Sequence, residues 1–326
     1  MINLPELEVQ TEDGWKLKAY HHQCIKSLHL PVLIFHAMSL SAYSLNGNGG
    51  IPSIASRLSQ NGYDVWVCEC RGVGKAFHQD RIKRLEWSFD DQLKYDVSAF
   101  INSIGKETGH HKYHWIGHSM GGALLLAYLC STDKPIIQAG IIAGAGFEVS
   151  NRIGTSEIQI KLLNALRIKR IPLKALAILS IPFFRFIPDQ YGYFSKKLTG
   201  YTNCIEIIKD IHDIPTSLIM YALKSYRKGG FRDNNDKVIY SEMAKNVSSP
   251  LLFVSGDKDL AWIPSVVEEN LKFFSQGNAQ MLPLGKAYGN EDNYGHLDLL
   301  MGKNVEKEVY PEIIKYLNLR EKERAV

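Results

Sequence analysis

The sequence predicts an α/β fold in which a mostly parallel central sheet has helices on both faces and a helical insertion. Short continuous apolar runs, such as residues 32–35 and 65–68, alternate with helical patterns, as in strands buried on both faces. This alternation stops near residue 147 and restarts at residue 250. The pattern between these points is helical, so we expect one sheet core with one insertion.

The elements before residue 147 follow in a regular order. Two alternating stretches around a Glu-Asp-Gly turn predict a β-hairpin at residues 7–10 and 15–20. The apolar runs and helical periodicities that follow predict four buried strands and two helices. We expect the strands at residues 30–35, 64–70, 113–118 and 136–143, and the helices at residues 51–60 and 89–104.

The composition excludes several classes of protein. The 326 residues are 45% hydrophobic and 22% charged, as in an ordinary globular protein. The net charge of +4 is small for this length and no basic stripe with stacking aromatic residues is visible, so nucleic acid is not expected as a partner. Residues 171–188 are apolar but contain Lys174, Arg185 and three prolines, so no transmembrane segment is expected.

The cysteines and the amino terminus bear on the cellular compartment. The five cysteines lack both the paired C-x-x-C spacing of zinc sites and the density of a secreted disulfide scaffold. Reduced, mostly buried thiols are therefore expected. Residues 1–6 show no basic region followed by an apolar stretch, so no secretory signal is expected and the cytoplasm is the default location.

A serine lies at the turn between the strand at residues 113–118 and the apolar helix that follows. Gly117 and Gly121 flank Ser119 at two residues on either side, and they remove side chains that would collide where a strand reverses into a helix. Such a turn exposes the hydroxyl, and the free N–H of Met120 faces any negative charge that develops beside it. The pentapeptide is short enough to occur by chance, so a functional reading needs support from elsewhere.

A second loop has the position that oxyanion binding requires. Residues 36–39 follow the strand at residues 30–35, at the carboxyl end where open parallel sheets place their ligands. If this loop lies beside Ser119, the N–H groups of Met38 and Met120 are the expected oxyanion donors. A plain strand-to-helix loop is the alternative.

Residues 147–249 are expected to form a helical cap over the carboxyl ends of the strands, and residues 1–146 and 250–326 are expected to form the core. Helical patterns in the cap occur at residues 158–168, 173–180 and 214–227. Its apolar side chains most simply pack the cap onto the core. An apolar acyl pocket, or a less favoured contact with a membrane surface, is the alternative.

The last part of the chain supplies two further candidate residue types. The remaining elements are expected to be strands at residues 250–256 and 279–284, a helix at residues 265–274 opened by Pro264, and an amphipathic helix near residues 305–317. Asp257 and Asp259 follow the first of these strands, and His296 lies in the polar loop after the second. With Ser119 this gives the order serine, aspartate, histidine of one known triad arrangement.

These motifs resemble the α/β-hydrolase superfamily, and within it the serine esterases and lipases. Residues 117–122, Gly-His-Ser-Met-Gly-Gly, are similar to the nucleophile turn of monoacylglycerol-lipase-type enzymes. Residues 294–298, Tyr-Gly-His-Leu-Asp, are similar to the histidine loop of acid lipases and related bacterial hydrolases, and residues 87–91 resemble a helix entry in that group. The resemblance covers about residues 30–147 and 248–318, and the cap matches only loosely.

The resemblance implies an α/β-hydrolase fold and ester cleavage by a triad, with Ser119 as nucleophile and His296 as base. In the family's G-x-x-D pattern the acid is the fourth residue, which is Asp259, and Asp257 is the alternative. The family usually has His-Gly where this chain has His36-Ala37. The extra methyl group of Ala37 narrows the pocket beside residues 36–39, the loop that contains the expected oxyanion donor Met38.

The resemblance leaves several reactions and ligands open. An ester with an apolar acyl or alcohol part is the expected substrate, while thioesterases, acyltransferases and carbon–carbon-bond hydrolases of this fold use the same triad. A non-catalytic ligand-binding member of the fold is a further alternative. No cofactor is expected, because the glycine-rich turn at residues 71–74 lacks the G-x-G-x-x-G spacing. No metal site is expected either, because His110, His111 and His114 have no acidic or cysteine partner at ligand spacing.

Overall fold

The computed structural model of the chain describes residues 2–132, 136–150, 168–186, 196–225, 230–275 and 277–324. The strands in this part of the chain are β1 Glu6–Gln10, β2 Lys16–His22, β3 Val32–Phe35, β4 Val65–Glu69, β5 Tyr113–His118, β6 Ile137–Ala143, β7 Arg170–Ile171, β8 Ile214–Pro215, β9 Leu251–Gly256 and β10 Ala279–Leu284. The long strands form one eight-stranded sheet in the order β1-β2-β4-β3-β5-β6-β9-β10, and β7 pairs with β8 in a second sheet.

The large sheet is mostly parallel. β1 and β2 pair antiparallel, as do β2 and β4, and every other neighbouring pair is parallel. The predicted fold class is thus confirmed. Because parallel strands point the same way, the residues that follow β3, β5, β6 and β9 all lie at one edge of the sheet.

Helices connect the strands. In chain order the α-helices of the described residues are α1 Ala42–Leu45, α2 Ile54–Gln60, α3 Phe89–Asp91, α4 Ser98–Thr108, α5 Met120–Cys130, α6 Leu173–Ser180, α7 Lys196–Thr199, α8 Tyr201–Lys209, α9 Thr216–Ser225, α10 Tyr240–Met243, α11 Pro264–Leu271, α12 Asp298–Met301, α13 Val305–Glu308 and α14 Tyr310–Arg324. Short 3₁₀ helices occupy Asn48–Gly50, Ile181–Phe186, Ala244–Asn246 and Lys286–Tyr288. None of these helices combines the length and the apolarity that crossing a membrane requires.

The core consists of two apolar layers, one on each face of the sheet. Val32 and Ile34 of β3 belong to one buried cluster, and Leu33 and Phe35 belong to the other. This division follows from the alternation of side chains along a strand. It explains why the predicted buried strands read as continuous apolar runs, because both faces of the sheet are covered.

Two predicted helices of the core are interrupted. The helix expected at residues 89–104 contains a π-helical segment, Gln92–Val97, between α3 and α4. The closing helix is divided into α13 and α14, because Pro311 lacks an N–H and its ring would collide with the carbonyl four residues earlier. Hydrophobic periodicity does not reveal either change.

The insert, residues 147–249, lies in the chain between β6 and β9. The predicted helix at residues 173–180 is present as α6, and the one predicted at residues 214–227 is present as α9 up to residue 225, where this described stretch of the chain ends. Residues 158–167 of a third predicted helix lie outside the described residues. The insert also contains α8 and the small β7–β8 sheet, neither of which was predicted. Strands of two residues, such as β7 and β8, leave no periodic pattern.

Candidate active site

Ser119 occupies a strained turn between β5 and α5. Its backbone has φ +52° and ψ −111°, and a positive φ is unusual for a serine. A Cβ atom on Gly121 would lie 2.3 Å from the carbonyl oxygen of Phe35, and one on Gly117 would lie equally close to the backbone of Gly121. Glycine is therefore required at both positions for the strand, the turn and the helix to pack this closely.

His296 and Asp259 form a buried pair. The His296 Nδ1–H donates to Oδ2 of Asp259 at 2.7 Å, and Oδ1 of Asp259 accepts from the N–H groups of Ala261 and Trp262 at 2.8 and 3.2 Å. Burial by itself raises the pKa of Asp259, but the charge of His296 and these hydrogen bonds outweigh burial and lower it. The carboxylate is therefore held ionised with its orientation fixed.

Asp257 has a different set of contacts from Asp259. Its Oδ1 accepts from the N–H of Tyr294 at 2.9 Å, and its carboxyl group packs against Gly285. Burial raises the pKa of Asp257. The geometry therefore favours Asp259 as the partner of His296, while Asp257 ties the end of β9 to the start of the histidine loop.

Two contacts bring the serine turn and the histidine loop together. The Nε2–H of His118, the residue before Ser119, donates to the carbonyl oxygen of His296 at 3.0 Å. The N–H of Ser119 donates to the carbonyl of Ala143 at 2.7 Å, and a Cβ atom on the next residue, Gly144, would lie 2.8 Å from His296 Nδ1. Both candidate residues thus border the carboxyl end of β6.

The loop after β3 lies beside the start of α5. The N–H of Gly121 donates to the carbonyl of His36 at 3.2 Å, so the first residue of this loop contacts the first turn of α5. Within the described residues neither the Met38 nor the Met120 N–H donates a hydrogen bond. Two free N–H groups at neighbouring loops are the arrangement that oxyanion binding requires.

The ring of His36 holds this loop. Its Nδ1–H donates to the carbonyl of Ala37 at 2.8 Å, and its Nε2 accepts from the N–H of Cys70 at 3.0 Å. Burial lowers the pKa of His36 to about 4. Burial and the nearby His296 lower the pKa of His118 to about 3. Both imidazoles are therefore neutral at neutral pH.

These two histidines predict that the protein loses stability in acid. In the unfolded chain both imidazoles take up a proton near pH 6.5, whereas in the folded chain they stay neutral down to about pH 4 and 3. The unfolded state therefore binds more protons, and we expect each histidine to lower the free energy of unfolding by about 3 kcal/mol between pH 6.5 and 4.

Urea unfolding at pH 7, 6, 5 and 4.5 measures this loss. His118→Gln removes one titrating group and keeps a side chain that can donate to the His296 carbonyl, so its stability should fall less steeply with pH than that of the wild type. Equal slopes for the two proteins would contradict the prediction.

Several residues that order the site were not predicted from the sequence. They are the ring of His118, the ring of His36, and Asp298, whose Oδ2 accepts from the N–H of Gly295 at 2.9 Å. All three lie in stretches already singled out in the sequence: His36 in residues 36–39, His118 in residues 117–122 and Asp298 in residues 294–298. Asp210, which contacts the loop after β3, lies in the insert, and nothing in the sequence around it marks it.

The described residues include no group of three or more histidine, cysteine, aspartate or glutamate side chains that could hold a metal ion. The five cysteines are free thiols, and four of them are buried. The candidate site is thus built from a serine, a histidine–aspartate pair and backbone N–H groups.

The sheet order, the strained serine turn and the histidine loop define a class of protein. Solved structures that superpose on nearly the whole chain include a thermophilic esterase from Thermogutta terrifontis, with a TM-score of 0.63, 17% sequence identity and coverage of 97% of this chain and 99% of that one. The monoacylglycerol lipase of Paleococcus ferrophilus gives a TM-score of 0.63 at 15% identity, covering 93% of this chain and 99% of that one. The chain therefore has the α/β-hydrolase fold.

Sequence comparison shows which proteins of known activity are similar to this chain. The family model Hydrolase_4, described as serine aminopeptidase S33, matches residues 48–187, less than half of the chain. Human gastric triacylglycerol lipase is 34% identical over 173 residues, which are 50% of this chain and 42% of that protein. Sterol esterase 2 of Saccharomyces cerevisiae is 29% identical over 132 residues, 37% of this chain and 24% of that protein. The chain therefore spans less than half the length of these curated relatives, and its similarity is to lipases and esterases.

Proposed function

We propose that the chain is a serine hydrolase that cleaves carboxylic esters, with Ser119, His296 and Asp259 as its triad. The observation that carries this proposal is the buried hydrogen bond between His296 Nδ1 and Asp259 Oδ2, 2.7 Å long, at the edge of the sheet where the strained Ser119 turn also lies. The similarity to lipases and esterases supports the same reaction class.

The proposed reaction proceeds through an acyl-enzyme. His296 Nε2 takes the proton of the Ser119 hydroxyl as the oxygen attacks the ester carbonyl, and Asp259 stabilises the imidazolium that forms. The N–H groups of Met38 and Met120 bind the oxyanion, each contributing on the order of 3 kcal/mol to the transition state. His296 then gives the proton to the leaving alcohol. In the second half of the reaction His296 takes a proton from water as the water attacks the acyl-enzyme carbonyl, and it gives this proton to the Ser119 oxygen as the acid leaves.

We propose that the insert acts as a cap and that the substrate has an apolar acyl or alcohol part. Helix α6 buries none of its residues, and Leu176, Leu179 and Phe183 are 57%, 70% and 65% exposed. Apolar side chains exposed in this number favour an apolar ligand. Contact of this surface with a membrane is the less favoured alternative.

A substrate panel tests the proposed function. p-Nitrophenyl esters from acetate to palmitate are compared with monoacylglycerol and acyl-CoA substrates, and a fluorophosphonate probe reports an activated serine. Ester hydrolysis together with probe labelling supports the proposal, and a preference for acyl-CoA indicates a thioesterase or an acyltransferase. A chain that neither turns over any of these substrates nor reacts with the probe would be a ligand-binding member of the fold.

We further propose that the protein works in a reducing compartment, with the cytoplasm as the expected location. Cys68 and Cys70 are fully buried, and burial raises the pKa of both thiols far above the ordinary value. Such thiols are inert packing groups, and free cysteines persist where the surroundings keep them reduced.

A further inference from the structure

The insert is hydrogen-bonded to the oxyanion loop, which we define as residues 36–41. Asp210, the residue after α8, is only 5% exposed, and its carboxylate faces the start of α1. It accepts from the N–H and the hydroxyl of Ser41 at 3.3 and 2.5 Å, and from the N–H and the hydroxyl of Ser44 at 3.3 and 2.7 Å. One carboxylate of the insert thus receives four hydrogen bonds from the core.

A second contact reaches closer to the proposed oxyanion donor. The N–H of His212 donates to the carbonyl oxygen of Ser39 at 2.7 Å. Ser39 has φ +65°, a left-handed conformation that costs free energy in a serine and persists only where neighbouring groups hold it. The Ser39 carbonyl belongs to the peptide that joins Ser39 to Leu40, so the insert fixes this peptide, which lies two units beyond the one that carries the Met38 N–H.

The core anchors the peptide that carries the Met38 N–H, which joins Ala37 to Met38. The Ala37 carbonyl accepts from His36 Nδ1–H at 2.8 Å and from the N–H of Leu40 at 3.3 Å. In a trans peptide the C=O and N–H groups point in opposite directions, so anchoring the Ala37 carbonyl aims the Met38 N–H away from these donors. The insert acts on this N–H indirectly, because the Leu40 N–H that anchors the Ala37 carbonyl belongs to the same peptide as the Ser39 carbonyl, which His212 holds.

The same part of the insert also contacts the histidine loop. The hydroxyl of Thr199, at the end of α7, donates to Oδ1 of Asp298, and both side chains are buried. The other carboxylate oxygen of Asp298 accepts from the N–H of Gly295, the residue before His296. Residues 199–212 are thus hydrogen-bonded to both loops that carry the proposed chemistry.

We propose that Asp210 is a positioning residue for ester hydrolysis, which holds the oxyanion loop so that the Met38 N–H is in place before the substrate binds. This inference rests on the proposed function. It makes residues 199–212 a fixed part of the active site rather than a moving lid. Misplacing a catalytic group by about 1 Å can lower a rate on the order of 100-fold, so a small shift of this loop has a measurable cost.

Asp210→Asn tests the proposal with little change in volume. An asparagine has one acceptor oxygen, and its NH₂ group would face the N–H or hydroxyl donors of Ser41 or Ser44. We expect kcat and kcat/KM for p-nitrophenyl butyrate to fall together by roughly 10- to 100-fold, because an oxyanion donor acts only in the transition state. Glu206→Gln is the matched control, because Glu206 lies one turn before Asp210, in α8, and bonds Tyr43 and Lys209.

Two readouts separate positioning from a loss of folded protein. Titration with a fluorophosphonate counts the active serines, so kcat is expressed per active site, and partial unfolding alone leaves that value unchanged. A trifluoromethyl ketone forms a tetrahedral adduct with an oxyanion, and its affinity should fall by the same factor as kcat/KM. If Asp210→Asn does not fold, Ser44→Ala weakens the same contact from the core side and should lower the same two quantities by a smaller factor.

The possible outcomes distinguish this inference from the proposed function. Loss of kcat per active site and of ketone affinity in the Asp210 or Ser44 variant, with Glu206→Gln unchanged, supports the positioning role. Variants that match an active wild type in both quantities would overturn the positioning role alone. A wild-type chain that neither hydrolyses esters nor reacts with the fluorophosphonate would overturn both.

Discussion

Replacing Ser119 by alanine is expected to lower kcat for ester hydrolysis by roughly 10⁴- to 10⁶-fold while the fold is retained. The reason is chemical, since alanine has no oxygen with which to form the acyl-enzyme, and His296 cannot activate a group that is absent. The positive φ of Ser119 adds only a small strain to the variant, because the wild type already bears it. Hydrolysis of p-nitrophenyl butyrate, followed with protein of verified thermal stability, measures the loss.

A second serine variant serves as the control for Ser119→Ala. Ser98, at the start of α4, is exposed, and Ser98→Ala should leave both kcat and fluorophosphonate labelling at the wild-type level. Mass spectrometry of the labelled wild type should place the adduct on the peptide that contains Ser119. Wild-type hydrolysis by Ser119→Ala, or an adduct on a different serine, would show that the nucleophile has been assigned to the wrong residue.

Asp259→Asn is expected to lower kcat by about 10⁴-fold at neutral pH. The N–H groups of Ala261 and Trp262 both point at one oxygen position of this side chain, so the asparagine must place its carbonyl oxygen there. Its NH₂ group then faces Nδ1 of His296, which must accept, and the ring proton moves to Nε2. A histidine in that tautomer has no free base for the serine proton.

Asp257→Asn is the matched comparison for Asp259→Asn. Asp257 accepts backbone N–H groups, that of Tyr294 among them, and an asparagine oxygen can replace the acceptor for Tyr294. We expect kcat within about threefold of the wild type for this variant. Kinetics of the two variants, measured side by side across pH, decide between the two aspartates that the sequence left open. A greater loss for Asp257→Asn than for Asp259→Asn would reverse the assignment.

Much of the fold could be predicted because it depends on local patterns. β5 lies at the residues that its apolar run predicts, and all six of its residues are buried, because a strand covered on both faces needs a mainly apolar sequence. The turn at Ser119 is visible because its geometry excludes side chains at Gly117 and Gly121. The π-helical segment at Gln92–Val97 was not visible, because two of its three buried residues, Gln92 and Asp96, are polar and add nothing to the hydrophobic pattern.

The sequence by itself determined the class of fold, the candidate serine and histidine, and a choice between two aspartates. Only the tertiary structure paired Asp259 with His296, set His118 against the carbonyl of His296, and brought Asp210 to the oxyanion loop. The physical reason is that strands, helices and tight turns are encoded by residues close together in the chain. A hydrogen bond between residues 41 and 210 depends on how separate elements pack, and no local pattern records it.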